Sequence, residues 1–198
     1  MRKVFTYIWL LTLFLGVVSL FWYKDLKYAL PTPIPPNYII VKPGAEIVLP
    51  SKLAAYQDKP LFLHFFNPDC PCSRFNIDHV RRLIRQYGDK ASFVIILLTN
   101  KKYTEKEIQT RFDIRVPVLQ DSSIALLCGV YSTPQAVIID NQHKLFYRGN
   151  YNQSRYCTNK NSNYAQIALE ALLKNNYSIE FNPLAVRAYG CQLPNCRK

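Results

Sequence analysis

The chain opens on an apolar run, Val4 to Tyr23, that contains no charged residue. After residue 60 the pattern changes to short apolar blocks separated by polar, Gly- and Pro-containing stretches. Leu61–Phe66 and Ser92–Leu98 are near-continuous apolar blocks of strand length, and each predicts a buried strand. Between them, residues 76–87 place Ile77, Val80, Leu83, Ile84 and Tyr87 on one helical face, and Gly88 ends the pattern. Thr104 predicts the cap of a helix running through Phe112, with Glu107 completing a capping box. Val116–Leu119 reads as a short extended piece. Ser122 or Ser123 opens a brief helix to Cys128, stopped by Gly129. Gln135–Asp140 and Lys144–Arg148 form a hairpin around Asn141-Gln142, and Ser162–Leu173 is a last amphipathic helix. This alternation predicts an α/β domain with a mainly parallel sheet and an antiparallel edge.

The first run is set apart from that domain. Its twenty residues reach about 30 Å as a helix, enough to cross a hydrocarbon core. Arg2 and Lys3 precede it, Lys24 follows it, and Trp22 and Tyr23 suit the membrane interface. No small-x-small cleavage site follows, so the run predicts an uncleaved signal anchor over Val4 to Tyr23, with a cleaved signal peptide as the alternative. Four prolines between Pro31 and Pro36 make a stiff spacer. The expected organisation is an anchor at 1–28, a Pro-rich linker at 29–44, a folded domain at 45–180 and a tail with two cysteines at 181–198. A bacterial inner membrane fits best, crossed once, with the domain facing the periplasm.

The formal charge is +12, of which residues 1–28 contribute +3 and the rest +9. A basic face for anionic lipid or an acidic partner is one reading, and a generally basic exported protein is the favoured one. No DNA- or RNA-binding motif is present, so nucleic acid is not an expected partner. Six cysteines, at 70, 72, 128, 157, 191 and 196, are many for 198 residues. An oxidising compartment would let them pair, and sequence alone leaves fifteen connectivities open.

The densest chemistry is Cys70-Pro71-Cys72, where an apolar strand ends and a helix-like segment follows. A helix N-terminus favours the thiolate, the reactive form of cysteine. Downstream stand Gly129-Val130-Tyr131-Ser132-Thr133-Pro134-Gln135, then Tyr147-Arg148-Gly149, and last Tyr189-Gly190-Cys191-Gln192-Leu193. Together with Phe65-Phe66-Asn67-Pro68-Asp69-Cys70, these segments resemble the thioredoxin fold, specifically its redoxin-like branch. The resemblance implies a central mixed sheet flanked by helices. It places Cys70 at the nucleophile position and Pro134 as a cis-proline facing the redox cysteines, with Thr133 offering its backbone to a substrate strand. The partner cysteine usually lies three residues on, where this chain has Ser73, so Cys72 departs from the pattern. One intervening residue closes a small ring and Pro71 fixes φ, so a Cys70–Cys72 disulfide is expected to be strained and oxidising. That leaves room for another resolving thiol, such as Cys157 in the polar loop 150–163.

The other candidates have plainer readings. Cys191 and Cys196 are expected to form a structural disulfide pinning the tail, and this outranks catalysis. Cys128 reads as a buried small hydrophobe. Arg74 is near enough to stabilise a thiolate, whereas Arg81, Arg82 and Arg85 read as a solvated face. His64 reads as a satisfied core group, His79 as surface or packing, and Asp69 as a helix cap.

The function these residues imply is a membrane-anchored, extracytoplasmic thiol–disulfide oxidoreductase. It acts through Cys70, with Cys72 or a remote cysteine resolving. Its expected partners are exported protein thiols or disulfides, or another redox protein, and no cofactor or metal is expected. The alternatives are a thioredoxin-like metallochaperone for Cu(I) or zinc, which lacks an evident third ligand here, and a non-catalytic binding module. Peroxide reduction is disfavoured, because Asn67 stands where such enzymes need Thr or Ser.

Overall fold

Each apolar block predicted as a strand becomes one, and their order in space sets the architecture. The computed structural model describes residues 2–56, 58–154 and 157–193. Helix α1 spans Arg2–Ala29, and its Arg2–Tyr23 part is long and apolar enough to cross a membrane, a test that a signal sequence also passes. The domain then runs β1 (Leu61–Phe66), α2 (Pro71–Arg74), α3 (Ile77–Tyr87), β2 (Ser92–Leu97), α4 (Glu105–Phe112), β3 (Val118–Leu119) and α5 (Ser122–Leu127). It continues with β4 (Ser132–Thr133), β5 (Gln135–Ile139), β6 (Leu145–Gly149), α6 (Tyr164–Leu173), α7 (Pro183–Val186) and β7 (Cys191–Gln192). The main sheet has the order β3-β2-β1-β5-β6. Its β1, β2 and β3 are parallel, while β5 and β6 run antiparallel. This is the mixed thioredoxin-like sheet that the resemblance implied, with helices on both faces.

Alternation along β1 divides the core. Phe62 faces Val80 and Leu83 of α3 and Leu169 and Leu172 of α6. Leu61, Leu63 and Phe65 face Ile124 and Ala125 of α5. Every β1 side chain is buried because the sheet is covered on both sides. The Thr104–Glu107 capping box forms as predicted and fixes the start of α4. Residues that the sequence assigns to a separate tail pack onto this body. Ala185 of α7 joins the core beside β6, and its carbonyl accepts from the Tyr147 hydroxyl and the Asn150 backbone N–H.

His64 is the one polar residue of β1. Its Nδ1 lies 2.7 Å from the Tyr151 hydroxyl, while Nε2 has no partner among the described residues. Burial lowers its pKa from 6.5 to about 3, so the ring is neutral in the folded protein. The unfolded chain takes up a proton below 6.5 that the folded chain refuses until about 3. Stability contributed by this group is therefore complete above pH 6.5 and is lost as pH falls through that window. Each such histidine is expected to steepen the loss by up to about 1.4 kcal/mol per pH unit. His79, lowered to about 4 by burial and then by Arg82, adds to it. Urea unfolding across pH 4–7 checks this: His64→Gln is expected to flatten the acid slope, and an unchanged slope would refute the assignment.

Candidate active site

The turn after β1 is built by Asn67 and Ser73. The Asn67 backbone N–H donates to Ser73 Oγ at 3.2 Å, and Asn67 Oδ1 accepts from the Asp69 N–H at 3.0 Å. Cys70 then has extended backbone geometry and stands at the N-cap of α2, with Pro71 at the first helical position, where a missing N–H breaks no intrahelical bond. Helix α2 is a single turn, and α3 starts afresh at Ile77. Cys70 thus sits on a short turn rather than on a long helix, and dipole support for its thiolate is correspondingly small.

The opposite wall comes from β4. The Thr133–Pro134 peptide bond is cis, and Thr133 is fully buried. A second, two-stranded sheet pairs β4 with β7 antiparallel, Thr133 opposite Cys191 and Ser132 opposite Gln192. This pairing brings in a sulfur that the sequence assigned elsewhere. Cys191 Sγ lies 3.1 Å from Cys70 Sγ and 2.8 Å from Cys72 Sγ. All three are buried, Cys70 completely, and they form a cluster of their own. Cys70 is disulfide-bonded, and neither Cys72 nor Cys191 is the other half of that bond. The expected pairing of Cys191 with Cys196 falls on a residue outside the described ones. The signal that could have placed Cys191 here is Gly190 before it: any Cβ at that position would fall on the Thr133 carbonyl, so a glycine is what lets this strand approach β4.

Cys128 and Cys157 do not belong to this cluster, although Cys157 lines the cavity beside it together with Cys72. Cys157, expected in an exposed loop, is buried against Tyr151 and Tyr164 in the main core, because the loop folds onto an asparagine network. Asn152 Nδ2 donates to the Asn159 carbonyl and to Asn163 Oδ1, and Ser162 Oγ donates to Asn152 Oδ1. Burial, offset in part by Arg82, pushes the Cys157 thiol up to about 12. Burial, offset by Arg148, does the same to Cys128, which is the small core residue it was read as. Neither holds a useful thiolate fraction near neutral pH. Asp69 does not cap a helix. It accepts from the Tyr103 hydroxyl at 2.7 Å and pairs with Lys101 at 3.4 Å. Burial works to raise its pKa, but those partners prevail and hold the carboxyl below its ordinary value. Arg74 is exposed.

Cys70, Cys72 and Cys191 are also the set that could hold a soft metal, their sulfurs all lying within 4.8 Å of one another. Cys191 supplies the third ligand that the sequence lacked. The spacing argues against that use, however. Thiolates at about 2.3 Å around tetrahedral zinc stand about 3.8 Å apart. The contacts of 2.8 and 3.1 Å are shorter than that. Beside the cluster lies a cavity of about 270 Å³ lined by Cys72, Asn76, Pro134, Tyr189 and Gly190 among others. The Asn76 side-chain amide is buried there without a hydrogen-bond partner among the described residues.

The model of the domain of unknown function DUF6436 matches residues 43–194, a span that includes the cysteine turn, Pro134 and β7. No curated protein matches the chain. A hypothetical protein from Sinorhizobium meliloti is similar in structure, with a TM-score of 0.63 and 21% identity, over 82% of this chain and 97% of that one. An uncharacterized conserved protein from Geobacillus kaustophilus has a TM-score of 0.59 and 22% identity, over 76% and 92% of the two chains. A thioredoxin family thiol:disulfide interchange protein from Chlorobium tepidum has a TM-score of 0.49 and 16% identity, over 68% and 99%. At such identities the likeness to the first two is one of fold alone.

Proposed function

The chain belongs to the DUF6436 family, and we propose that it is a thiol–disulfide oxidoreductase working through a three-sulfur cluster with Cys70 as the nucleophile. The observation that carries this is the contact of Cys191 Sγ with both Cys70 Sγ and Cys72 Sγ, opposite the cis-proline. In the reduced state the Cys70 thiolate attacks one sulfur of a substrate disulfide. That S–S bond breaks, a Cys70–substrate bond forms, and the other substrate sulfur leaves as a thiolate and takes a proton from water. The Cys191 thiolate then attacks Cys70 Sγ. The mixed disulfide breaks, a Cys70–Cys191 bond forms, and the second substrate sulfur leaves. Two electrons pass to the substrate, which departs as a dithiol, and the reverse sequence oxidises a dithiol. Cys72, in contact with Cys191, is placed to take the new bond onward. Pro134 shapes the wall against which Cys70 reacts, and the Thr133 backbone holds the substrate strand.

In this reading α1 anchors the protein in a bacterial inner membrane and the linker holds the domain on the periplasmic side. The length of α1, the adjoining prolines and the cysteine-rich domain support that placement. The partners are then exported proteins or another redox protein. Turnover of a disulfide-linked fluorogenic peptide by the purified full chain tests the function. Exchange well above that of free cysteine is expected, and no acceleration over that background would contradict it.

A further inference from the structure

We infer that the domain lies against the bilayer through one apolar face, centred on Ile39 of the linker and Leu126 of α5, and that the partner there is anionic lipid. The inference rests on the reading of α1 as a membrane anchor and extends it to the domain. Between Lys27 and Lys42 no residue is charged. A stretch that crosses water is expected to be polar, yet Leu30, Ile34, Ile39 and Ile40 are each more than half exposed. Single exposed apolar side chains are ordinary, whereas a contiguous set marks an interaction surface.

That stretch is fastened along the domain at three points. Thr32 is buried, its N–H donating to the Ala188 carbonyl at 2.8 Å and its Oγ1 to the Gly190 carbonyl at 2.5 Å. The Tyr38 hydroxyl donates to the Gly129 carbonyl at 2.9 Å, and the Val41 carbonyl accepts from Arg148 Nη1 at 2.9 Å. Helix α1 ends at Ala29, and the three residue steps from there to Thr32 reach at most about 11 Å. A bilayer crossed by α1 therefore has the domain at its surface rather than a spacer's length away. The Gly190 carbonyl held by Thr32 directly precedes Cys191. The sulfur cluster then stands beside the bilayer, where the cysteines within reach are those of membrane-held partners.

The linker meets α5 at a hollow of about 690 Å³, lined by Pro35, Tyr38, Ile39, Leu126, Tyr131 and Leu193 among others. Ile39 and Leu126 at its rim are 77% and 76% exposed. Helix α5 gives the core Ile124 and Ala125, so the helical period turns Leu126 outward. The loop that brings Thr99 and Asn100 to the hollow continues into Lys101 and Lys102, both exposed, and Lys42 closes the uncharged run. The face thus has an apolar centre and a basic rim, in a chain whose residues after 28 carry +9. Binding to a bilayer surface combines those two contributions, buried apolar area and attraction to anionic headgroups. A second copy of this chain fits the face less well, because its own rim would be equally basic.

The test uses the full chain in nanodiscs of phosphatidylcholine and phosphatidylglycerol, with Trp9→Phe and Trp22→Phe to silence α1. One reporter is then introduced, either Leu126→Trp or Lys174→Trp, the latter exposed at the end of α6 on the opposite face of the sheet. With lipids brominated in their acyl chains, the Leu126→Trp reporter is expected to dim about twofold and shift to shorter wavelength, as a side chain buried at the headgroup boundary does. The Lys174→Trp reporter should keep its emission. Adding Ile39→Glu, at an exposed position, should restore the emission of the Leu126→Trp reporter. Equal emission of that reporter in brominated and ordinary lipid, from a chain that co-elutes with the discs, would overturn the face and leave the anchor standing. A chain that stays out of the discs would refute the anchor reading and the face with it. A blue shift without quenching that grows with the number of chains per disc would put a second copy on this face and overturn the lipid assignment.

Discussion

Cys70→Ser is expected to lower peptide-disulfide exchange by a factor on the order of 10³ or more, because a serine hydroxyl supplies no equivalent of the thiolate near neutral pH. The exchange is near isosteric at a fully buried position, so the fold is expected to persist. The far-ultraviolet spectrum and urea midpoint should then stay close to those of the reduced wild type, separating lost chemistry from lost structure. Cys128 and Cys157 do not substitute. Cys128 and Cys157 have thiols held at about 12, and neither belongs to the cluster of Cys70, Cys72 and Cys191. Wild-type exchange by Cys70→Ser would remove Cys70 from the nucleophile position.

Cys191→Ser divides the reaction differently. The first attack, by Cys70, remains possible, while the sulfur 3.1 Å away that completes the reaction is gone. Steady turnover is expected to fall about tenfold or more, with a mixed disulfide between Cys70 and substrate accumulating as the second step becomes limiting. Non-reducing electrophoresis and mass mapping of the trapped species check it. If turnover persists in Cys191→Ser and the trap appears in Cys72→Ser instead, then Cys72 resolves, and Cys191 serves only to cover the site.

These two variants fall on residues that the sequence exposed unequally. Cys70 was legible because its signal is local: an apolar strand, a turn and a proline at a helix start occupy a dozen consecutive residues. The same locality made β1, β2, α4 and the β5–β6 hairpin legible, since alternation, caps and turns act over a few residues. Cys191 was visible as a Gly-Cys pair, but its role depends on a two-residue strand pairing with β4 across nearly sixty residues of chain. Nothing in the composition of 189–193 encodes that register, and the expected pairing with Cys196 falls on a residue outside the described ones. Cys157 misled for a related reason. Asparagine, serine and tyrosine predict a solvated loop, yet Asn152, Asn159 and Ser162 satisfy one another, and Cys157 is buried with Tyr151 and Tyr164. Residue type alone makes Asp69 a cap, whereas Tyr103 and Lys101 reach it from the loop between β2 and α4.

The central claim is that Cys70 exchanges disulfides reversibly within a cluster that includes Cys191. Its most direct test is the redox equilibrium of the full chain across glutathione buffers, with thiol trapping and peptide mass mapping at each potential. The account predicts one reversible transition in which Cys70 passes from thiol to disulfide, with a Cys70–Cys191 linkage recovered among the trapped species. Cys70 remaining a thiol throughout the series would contradict it.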